Sequence, residues 1–197
     1  MFRKAVAAVL AAGMGLAGQA GAESMTRKGY EMPPYTVEAR DGAREIRAYG
    51  PRIVAEVTVR GERRAAVNTG FRLLAGYIFG ANAGREKIAM TVPVDQADRG
   101  GGLWTLRFTM PSAFTAETLP APDDDRIRLV PVPPARMVVE AFGGIPDSDD
   151  MAARAAALAD WAAARDLRVD GGAVYSFYDA PWTPAGQRRN EVGFTLR

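Results

Sequence analysis

The stretch from Asn68 to Val94, NTGFRLLAGYIFGANAGREKIAMTVPV, constrains the fold most, because its hydrophobic period changes part-way along. Val67, Phe71, Leu74 and Ile78 recur at spacings of four, three and four. Those spacings predict one apolar face of a helix running from about Glu62 to Phe79. Gly80 follows, where a residue without a Cβ ends a helix in the left-handed conformation at no steric cost. Lys87 to Val94, KIAMTVPV, then takes the period of a strand. A helix with a single apolar face needs a sheet to bury it.

The flanking sequence supplies the sheet. Tyr35 to Arg40 and Glu45 to Tyr49 are extended runs on either side of Asp41-Gly42, a short turn signal. Arg52 to Arg60 alternates, with Ile53, Ala55, Val57 and Val59 set against Val54, Glu56 and Thr58. Leu103 to Met110 alternates again after a glycine turn, and Pro111 to Asp125 is a crossover rich in Pro and Asp. Beyond it lie strands at Arg126 to Val130 and Arg136 to Phe142. A helix from Met151 to Arg165 follows, opened by Ser148-Asp149-Asp150 with a cap and negative charge at the positive end of its dipole. After Gly171-Gly172 come strands at Ala173 to Tyr178 and Glu191 to Leu196. Arg52 to Met110 and Arg136 to Leu196 therefore share one order: strand, helix, strand, strand. The expectation is an α+β fold, a duplicated β-α-β-β unit whose mixed or antiparallel sheet curls towards a barrel, with two packed helices.

Composition narrows the function. The chain has 197 residues and 48% hydrophobic content, enough for a real core and short for two ordinary domains. Its start has the form of a signal peptide: Arg3 and Lys4, an apolar run from Ala5 to Leu16, and Ala20-Gly21-Ala22 as a small-x-small cleavage site. The apolar run is too short, and too rich in Ala and Gly, to span a bilayer comfortably. The expected organisation is a signal peptide at 1–22, a flexible N-terminal tail at 23–34 and a single domain at 35–197. The mature protein is expected to be periplasmic, with no stable membrane insertion after cleavage.

Losing residues 1–22 removes Arg3 and Lys4 and no acid, which brings 25 Lys+Arg down to 23 against 23 Asp+Glu. A neutral mature chain lacks the general basic field that nucleic-acid binding draws on, so no nucleic-acid partner is expected. Pairs such as Arg63-Arg64 and Arg188-Arg189 read as solvated surface. Cys 0 and His 0 exclude disulfides, a thiolate nucleophile, a Cys/His zinc site and a Ser-His-Asp triad.

Several segments together carry a family resemblance. They are REIRAYGP at 44–51, GFRLLAGYIFGAN at 70–82, KIAMTVPV at 87–94, LPAPDD at 119–124 and YDAPWTPAGQRRNEV at 178–192, with FTMP ending at Pro111. In this order and over the whole mature chain, they resemble the SOUL haem-binding protein family, in an exported bacterial member. The resemblance implies a duplicated β-α-β-β fold of distorted-barrel type, related to bacterial effector-binding domains. It also implies binding of haem or free porphyrin in a shallow groove between the first helix and the loop near the C-terminus. A family arginine that meets a haem propionate falls at Asn68, apolar contacts fall at Phe71 and Ala75, and a family lysine falls at Thr183. The histidine that one branch of the family uses as an axial ligand falls at Ala48.

A tetrapyrrole is a wide apolar disc with carboxylates at one edge, so it needs apolar walls and cations near its rim. Phe71, Leu74 and Ala75 are candidates for one wall, with Asn68 and Arg72 at its border, and Trp182 for a lid. Arg72, Arg188 and Arg189 are candidate replacements for the missing propionate partners. Each has a structural alternative: core for Phe71 and Leu74, a pinned loop for Trp182, an ion pair for Arg189. With neither His nor Cys, iron ligation would fall to Tyr178, Tyr175, Met90 or Met137, and haem or metal-free porphyrin is expected without a strong axial side-chain ligand. The expected role is a tetrapyrrole carrier or buffer, more a binding protein than an enzyme. The alternative is a small-molecule hydrolase or effector-binding domain on the same scaffold, using Glu140 with Tyr175 or Tyr178.

Overall fold

Short runs that alternate apolar and polar residues become strands wherever one face can be buried. In the computed structural model, which describes residues 25–197, the strands before the first helix are β1 (Met25–Arg27), β2 (Tyr30–Met32), β3 (Tyr35–Asp41), β4 (Arg44–Tyr49) and β5 (Arg52–Arg60). Helix α1 (Arg63–Ile78) leads to β6 (Val94–Asp98), β7 (Leu103–Thr109), β8 (Arg128–Val132) and β9 (Ala135–Phe142). Helix α2 (Ser148–Ala163) leads to β10 (Val169–Phe177) and β11 (Asn190–Leu196). The expected signal peptide lies outside the described residues.

Strands β3 to β11 form one sheet in the order β3-β4-β9-β11-β10-β6-β7-β5-β8, and every neighbouring pair is antiparallel. The order is symmetric about the β10–β6 pair. On one side run β6, β7 and β5, the strands of the first β-α-β-β unit; on the other run β10, β11 and β9, those of the second. β8 extends the first unit, while β4 and β3 extend the second. The edge strands β3 and β8 do not pair with each other, so the curled sheet stays open. The α+β duplication expected from the sequence is the observed fold.

Both helices lie on one face of the sheet. α1 packs on β5 and β7, where Ala55, Val57, Leu106 and Phe108 meet Leu74, Tyr77 and Ile78. α2 packs on β9, β10 and β11, where Val138, Tyr175, Val192 and Phe194 meet Met151, Leu158 and Ala162. Glu62 caps α1, its carboxylate accepting from the backbone N–H groups of Arg64 and Ala65. Gly70 permits the close approach of α1, since a Cβ there would stand 2.9 Å from Leu106 Cδ1. The buried stripe of α1 is Ala66, Gly70, Leu74, Tyr77 and Ile78, so Phe71 sits on its flank, 41% exposed.

Three local expectations change. Residues 25–34, expected as a flexible tail, instead carry the β1–β2 hairpin. Arg27 and Lys28 pair with Asp179, and Met32 is buried with Val92 and Tyr178. Lys87 to Val94 is an extended packing segment rather than a ladder strand, and the strand begins at Val94. Ile88 N–H donates to the Ile78 carbonyl and Thr91 Oγ1 to the Thr109 carbonyl, bonds that tie the segment to α1 and β7. Gly171-Gly172 does not separate elements; it lies inside β10, where the register shifts and Gly171 takes φ 72°.

Candidate functional site

Each helix covers its own unit, and neither packs extensively on β6 at the seam. Between them on the helix-bearing face runs the seam strip, a furrow only in the sense that neither helix spans it; Val67, Val94 and Phe177 are partly buried against the two cores. Its floor includes a register row from three strands, Phe177, Val94 and Phe108. One wall is the flank of α1 turned towards β6, with Val67, Phe71 and Ala75. The Phe71 ring stands edge-on to Phe108 at 5.4 Å between centroids, which leaves its outer face open.

Arg63 closes the other end of this flank. Its guanidinium lies 5.8 Å from the Trp104 ring and 5.8 Å from the Phe177 ring, and Nη2 donates to Gln96 Oε1 at 3.0 Å. Nε is shut off from solvent and has no acceptor. Burial lowers the Arg63 pKa from its ordinary value, with the charge of Glu62 opposing. From Arg63 to Phe71 is eight residues of helix, about 12 Å. The strip is thus apolar at the Phe177–Val94–Phe108 row and polar beyond it, where Gln96 meets an under-satisfied cation. The sequence reading took Arg63-Arg64 for solvated surface. Arg63's partners come from β6, β7 and β10, and no local pattern points to them.

The sequence-predicted residues divide among several places. Asn68, Phe71 and Ala75 share the furrow flank. Arg72 does not: it turns to the opposite side of α1 and lines a separate hollow of about 680 Å³ with Leu73, Tyr77 and Asp123 to Ile127. Leu74 is wholly buried in the core. Trp182, 85% exposed, and Thr183 lie in the loop after β10, which begins beside the Val94–Phe177 end of the furrow. The loop is anchored away from α1: Asp179 holds Arg27 and Lys28, and Gly144 N–H donates to the Ala185 carbonyl. Arg188 clips the loop itself, donating from Nε to the Thr183 carbonyl at 2.7 Å and from Nη2 to the Pro181 carbonyl. Nε and Nη2 are thereby engaged with backbone.

Tyr178 lies on the opposite face of the sheet from the furrow, because side chains alternate along a strand and Phe177 takes the helix side. Its hydroxyl donates to Glu191 Oε2 at 2.7 Å, and burial together with the negative charge of Glu191 pushes its pKa well up. Tyr175 donates to the Met151 carbonyl, and Met137 lines the same cavity as Tyr178. Of the four named iron-ligand candidates, Met90 alone packs against the first-half core near α1. Glu140, the candidate acid for hydrolysis, sits between Arg44 at 2.7 Å and Arg154 at 3.4 Å on the α2 side. The structure does not gather it with Tyr178.

The face away from the helices carries a buried charge cluster that the sequence reading did not assemble. Arg47, 1% exposed, donates to both oxygens of Glu191 at 2.9 Å each, to Glu45 at 2.6 Å and to the Tyr49 hydroxyl at 3.0 Å. Arg189 adds a second cation to Glu191. Burial by itself would raise the Glu191 pKa, but the hydrogen bonds and charge of Arg47, then Arg189 and Tyr178, hold it below the usual carboxylate range. The cluster is saturated from within. Among the described residues, no group of acidic side chains is placed to hold a metal ion.

A family model described as SOUL heme-binding protein matches residues 30–195. No curated protein matches the chain significantly. Among solved structures, the C-terminal domain of EcmrR is 13% identical over 83% of this chain and 98% of that one, with a TM-score of 0.61. A hydrolase from Listeria innocua is 14% identical over 81% of this chain and 94% of that one, with a TM-score of 0.55. At such identities the two structures show a shared fold.

Proposed function

The chain belongs to the SOUL heme-binding protein family, and from that premise we propose that it binds haem or a related porphyrin in the furrow over β6, as a carrier or buffer in the periplasm. The observation that carries the reading is the pairing of an uncovered apolar seam with a cation short of an acceptor. Val67 and Phe71 offer a wall, and Val94 and Phe177 a floor, for the face of a macrocycle. Arg63 Nε offers a donor for a propionate, in place of the cations that the family carries at the positions of Asn68 and Thr183. A charge-assisted hydrogen bond of this kind contributes about 1.5–3 kcal/mol.

The residues fit the group in outline, as hydrophobic capture with one edge contact. When bound, haem supplies an iron centre. The chain contributes walls, a floor and a guanidinium, and Tyr175, the candidate ligand on the same sheet face, is buried with its hydroxyl donating to the Met151 carbonyl. Metal-free protoporphyrin should therefore bind about as well as haemin. Export through the N-terminal segment would bring the protein to a compartment where free haem benefits from capture.

Titration of the mature protein with haemin and with protoporphyrin tests the reading through the Soret band and tryptophan quenching. Arg63→Gln and Phe71→Asp should each weaken both ligands about tenfold or more. Arg72→Gln should leave both unchanged, because Arg72 faces elsewhere. An unshifted haemin spectrum with the wild-type protein at micromolar concentration sinks the proposal. Full affinity in Arg63→Gln would remove the assigned propionate contact.

A further inference from the structure

We propose a second ligand site, separate from the furrow: the guanidinium of Arg52 receives the carboxylate of an amphiphilic monocarboxylate of fatty-acid type, whose chain lies in the proline-walled cleft beside it. Arg52 opens β5 and stands where two hollows meet. Inside is a cavity of about 110 Å³ on the sheet face away from the helices, bordered by Tyr49, Asp95, Arg107, Ser176 and Glu191. Outside is a cleft of about 500 Å³ walled by Pro33, Pro51, Ile53, Pro111, Phe114 and Pro131. Arg52, Pro33 and Val132 line both.

Every other cation near the inner cavity is already engaged. Arg107 donates to Glu56 at 2.8 Å, and Arg47 and Arg189 hold Glu191. Arg52 stacks over the Tyr49 ring at 5.3 Å but makes no ion pair among the described residues, and its Nη1 is closed from solvent with no acceptor. A buried donor left unsatisfied is costly, more so on a charged group, and an acceptor brought in by a ligand relieves that cost. Asp95 does not serve. It accepts from Ser176 Oγ at 2.6 Å, and burial pushes its pKa upward against the attraction of Arg52 and Arg107.

The walls select the rest of the ligand. Much of the cleft wall is proline, which has no backbone N–H, with Ile53, Met110 and Phe114. Glu31, Thr109 and Ser112 also line it, but the Ser112 N–H donates to Glu31 Oε1 and Thr91 Oγ1 to the Thr109 carbonyl, so few donors are free and the wall suits a hydrocarbon chain. Its volume falls within the range of about 300–1,000 Å³ typical of small-molecule sites. The inner cavity has room for about three or four waters at ~30 Å³ each, or for one small head group. Asp95 and Glu191 also border that cavity, so a single negative charge is favoured over the double charge of a phosphate monoester.

Calorimetric titration of the mature protein with decanoate, decanol and decyl phosphate, each below its micelle concentration, tests the site. Decanoate should bind about tenfold tighter than either of the others, and Arg52→Gln should reduce it to the level of decanol. Pro133→Trp, a bulky change in the exposed loop at the cleft, should weaken decanoate and decanol alike. Equal affinity for decanoate and decanol in the wild type overturns the proposal. So does undiminished decanoate binding in Arg52→Gln, or no heat with any probe, the result if water alone meets Nη1. Should Arg52→Gln fail to fold, the wild-type comparison of decanoate with decanol decides. Saturating decanoate should leave the haemin titration unchanged; competition would place both ligands in one site and refute a separate one.

Discussion

Replacing Arg47 with Met tests whether the charges on the helix-free face act as one unit. The substitution keeps an unbranched side chain in the space but removes four hydrogen bonds and leaves Glu191, 3% exposed, with Arg189 and Tyr178 as its remaining partners. Breaking a buried ion pair from one side costs about 3–5 kcal/mol, against a typical domain stability of about 5–15 kcal/mol. At about 2–4 °C per kcal/mol for a chain of this size, the melting temperature at pH 7 should fall by roughly 6–20 °C. The pH dependence should change sign as well. In the wild type, Glu191 has a depressed folded pKa, so its contribution is present above the unfolded value of 4.5 and is lost as pH falls through the lower folded value. In Arg47→Met the hydrogen bonds and charge that most oppose burial are gone, so the folded pKa should rise above the unfolded one. The variant should then gain stability relative to wild type as pH drops from 7 to 5. Arg47→Met/Glu191→Gln should recover about 1–3 kcal/mol of the loss at pH 7. Calorimetric melts of the three proteins at both pH values provide the measurement. A single variant within about 1 kcal/mol of wild type at pH 7, or a loss that deepens on acidification, would refute the reasoning.

Two glycines of α1 offer a contrast within one helix. Gly70→Ala places a Cβ 2.9 Å from Leu106 Cδ1 and 3.3 Å from Val57 Cγ1; overpacking of about 1–3 kcal/mol should exceed the gain in helix propensity, for a net loss in urea melts. Gly76→Ala meets nothing nearer than Ala81 Cβ at 3.9 Å and should stabilise by about 0.5–1 kcal/mol. Asp147→Ala removes the cap of α2, where the carboxylate accepts from the N–H groups of Asp149 and Asp150 at 2.9 Å each, and should cost about 0.5–2 kcal/mol by the same assay.

Where a local period reports burial on one face, the sequence was a good guide. Arg52 to Arg60 is a strand over those same residues because Ala55 and Val57 must meet α1 while Glu56 and Thr58 face away. The duplication was legible for the same reason, since both units repeat a change of period. The β1–β2 hairpin was not legible, because its stability comes from Asp179, Val92 and Tyr178, far along the chain. Phe71 could be placed beside the candidate site from its helix position, whereas Arg63 could not. Tyr178 shows the sharpest limit. It directly follows Phe177, and that one step along the chain carries it through the sheet into the charge cluster. The Arg188 of the same loop looked like a free cation in sequence but is held by two backbone carbonyls.

The location of the furrow follows from the duplication itself. Two residues connect β5 to α1 and five connect β9 to α2, so each helix is held over the strands of its own unit. The units join through β6 and β10, each the strand of its own unit farthest from the one that leads into the helix, and short connections leave neither helix packed extensively on β6. Val94 and Phe177 lie on the helix side of this seam, half-buried against the two cores, and a cation lies over Phe177 with one donor unspent. On the other face the charges are numerous, and Arg47 and Glu191 satisfy each other, which leaves Arg52 as the cation there without an ion pair among the described residues. Polar atoms left without partners are uncommon in folded proteins. Among the described residues three buried side-chain donors are left so, Arg27 Nε, Arg63 Nε and Arg52 Nη1. Arg63 lies at the seam and Arg52 beside the proline-walled cleft, and these are the places where a bound carboxylate would complete the hydrogen bonding that the fold leaves open.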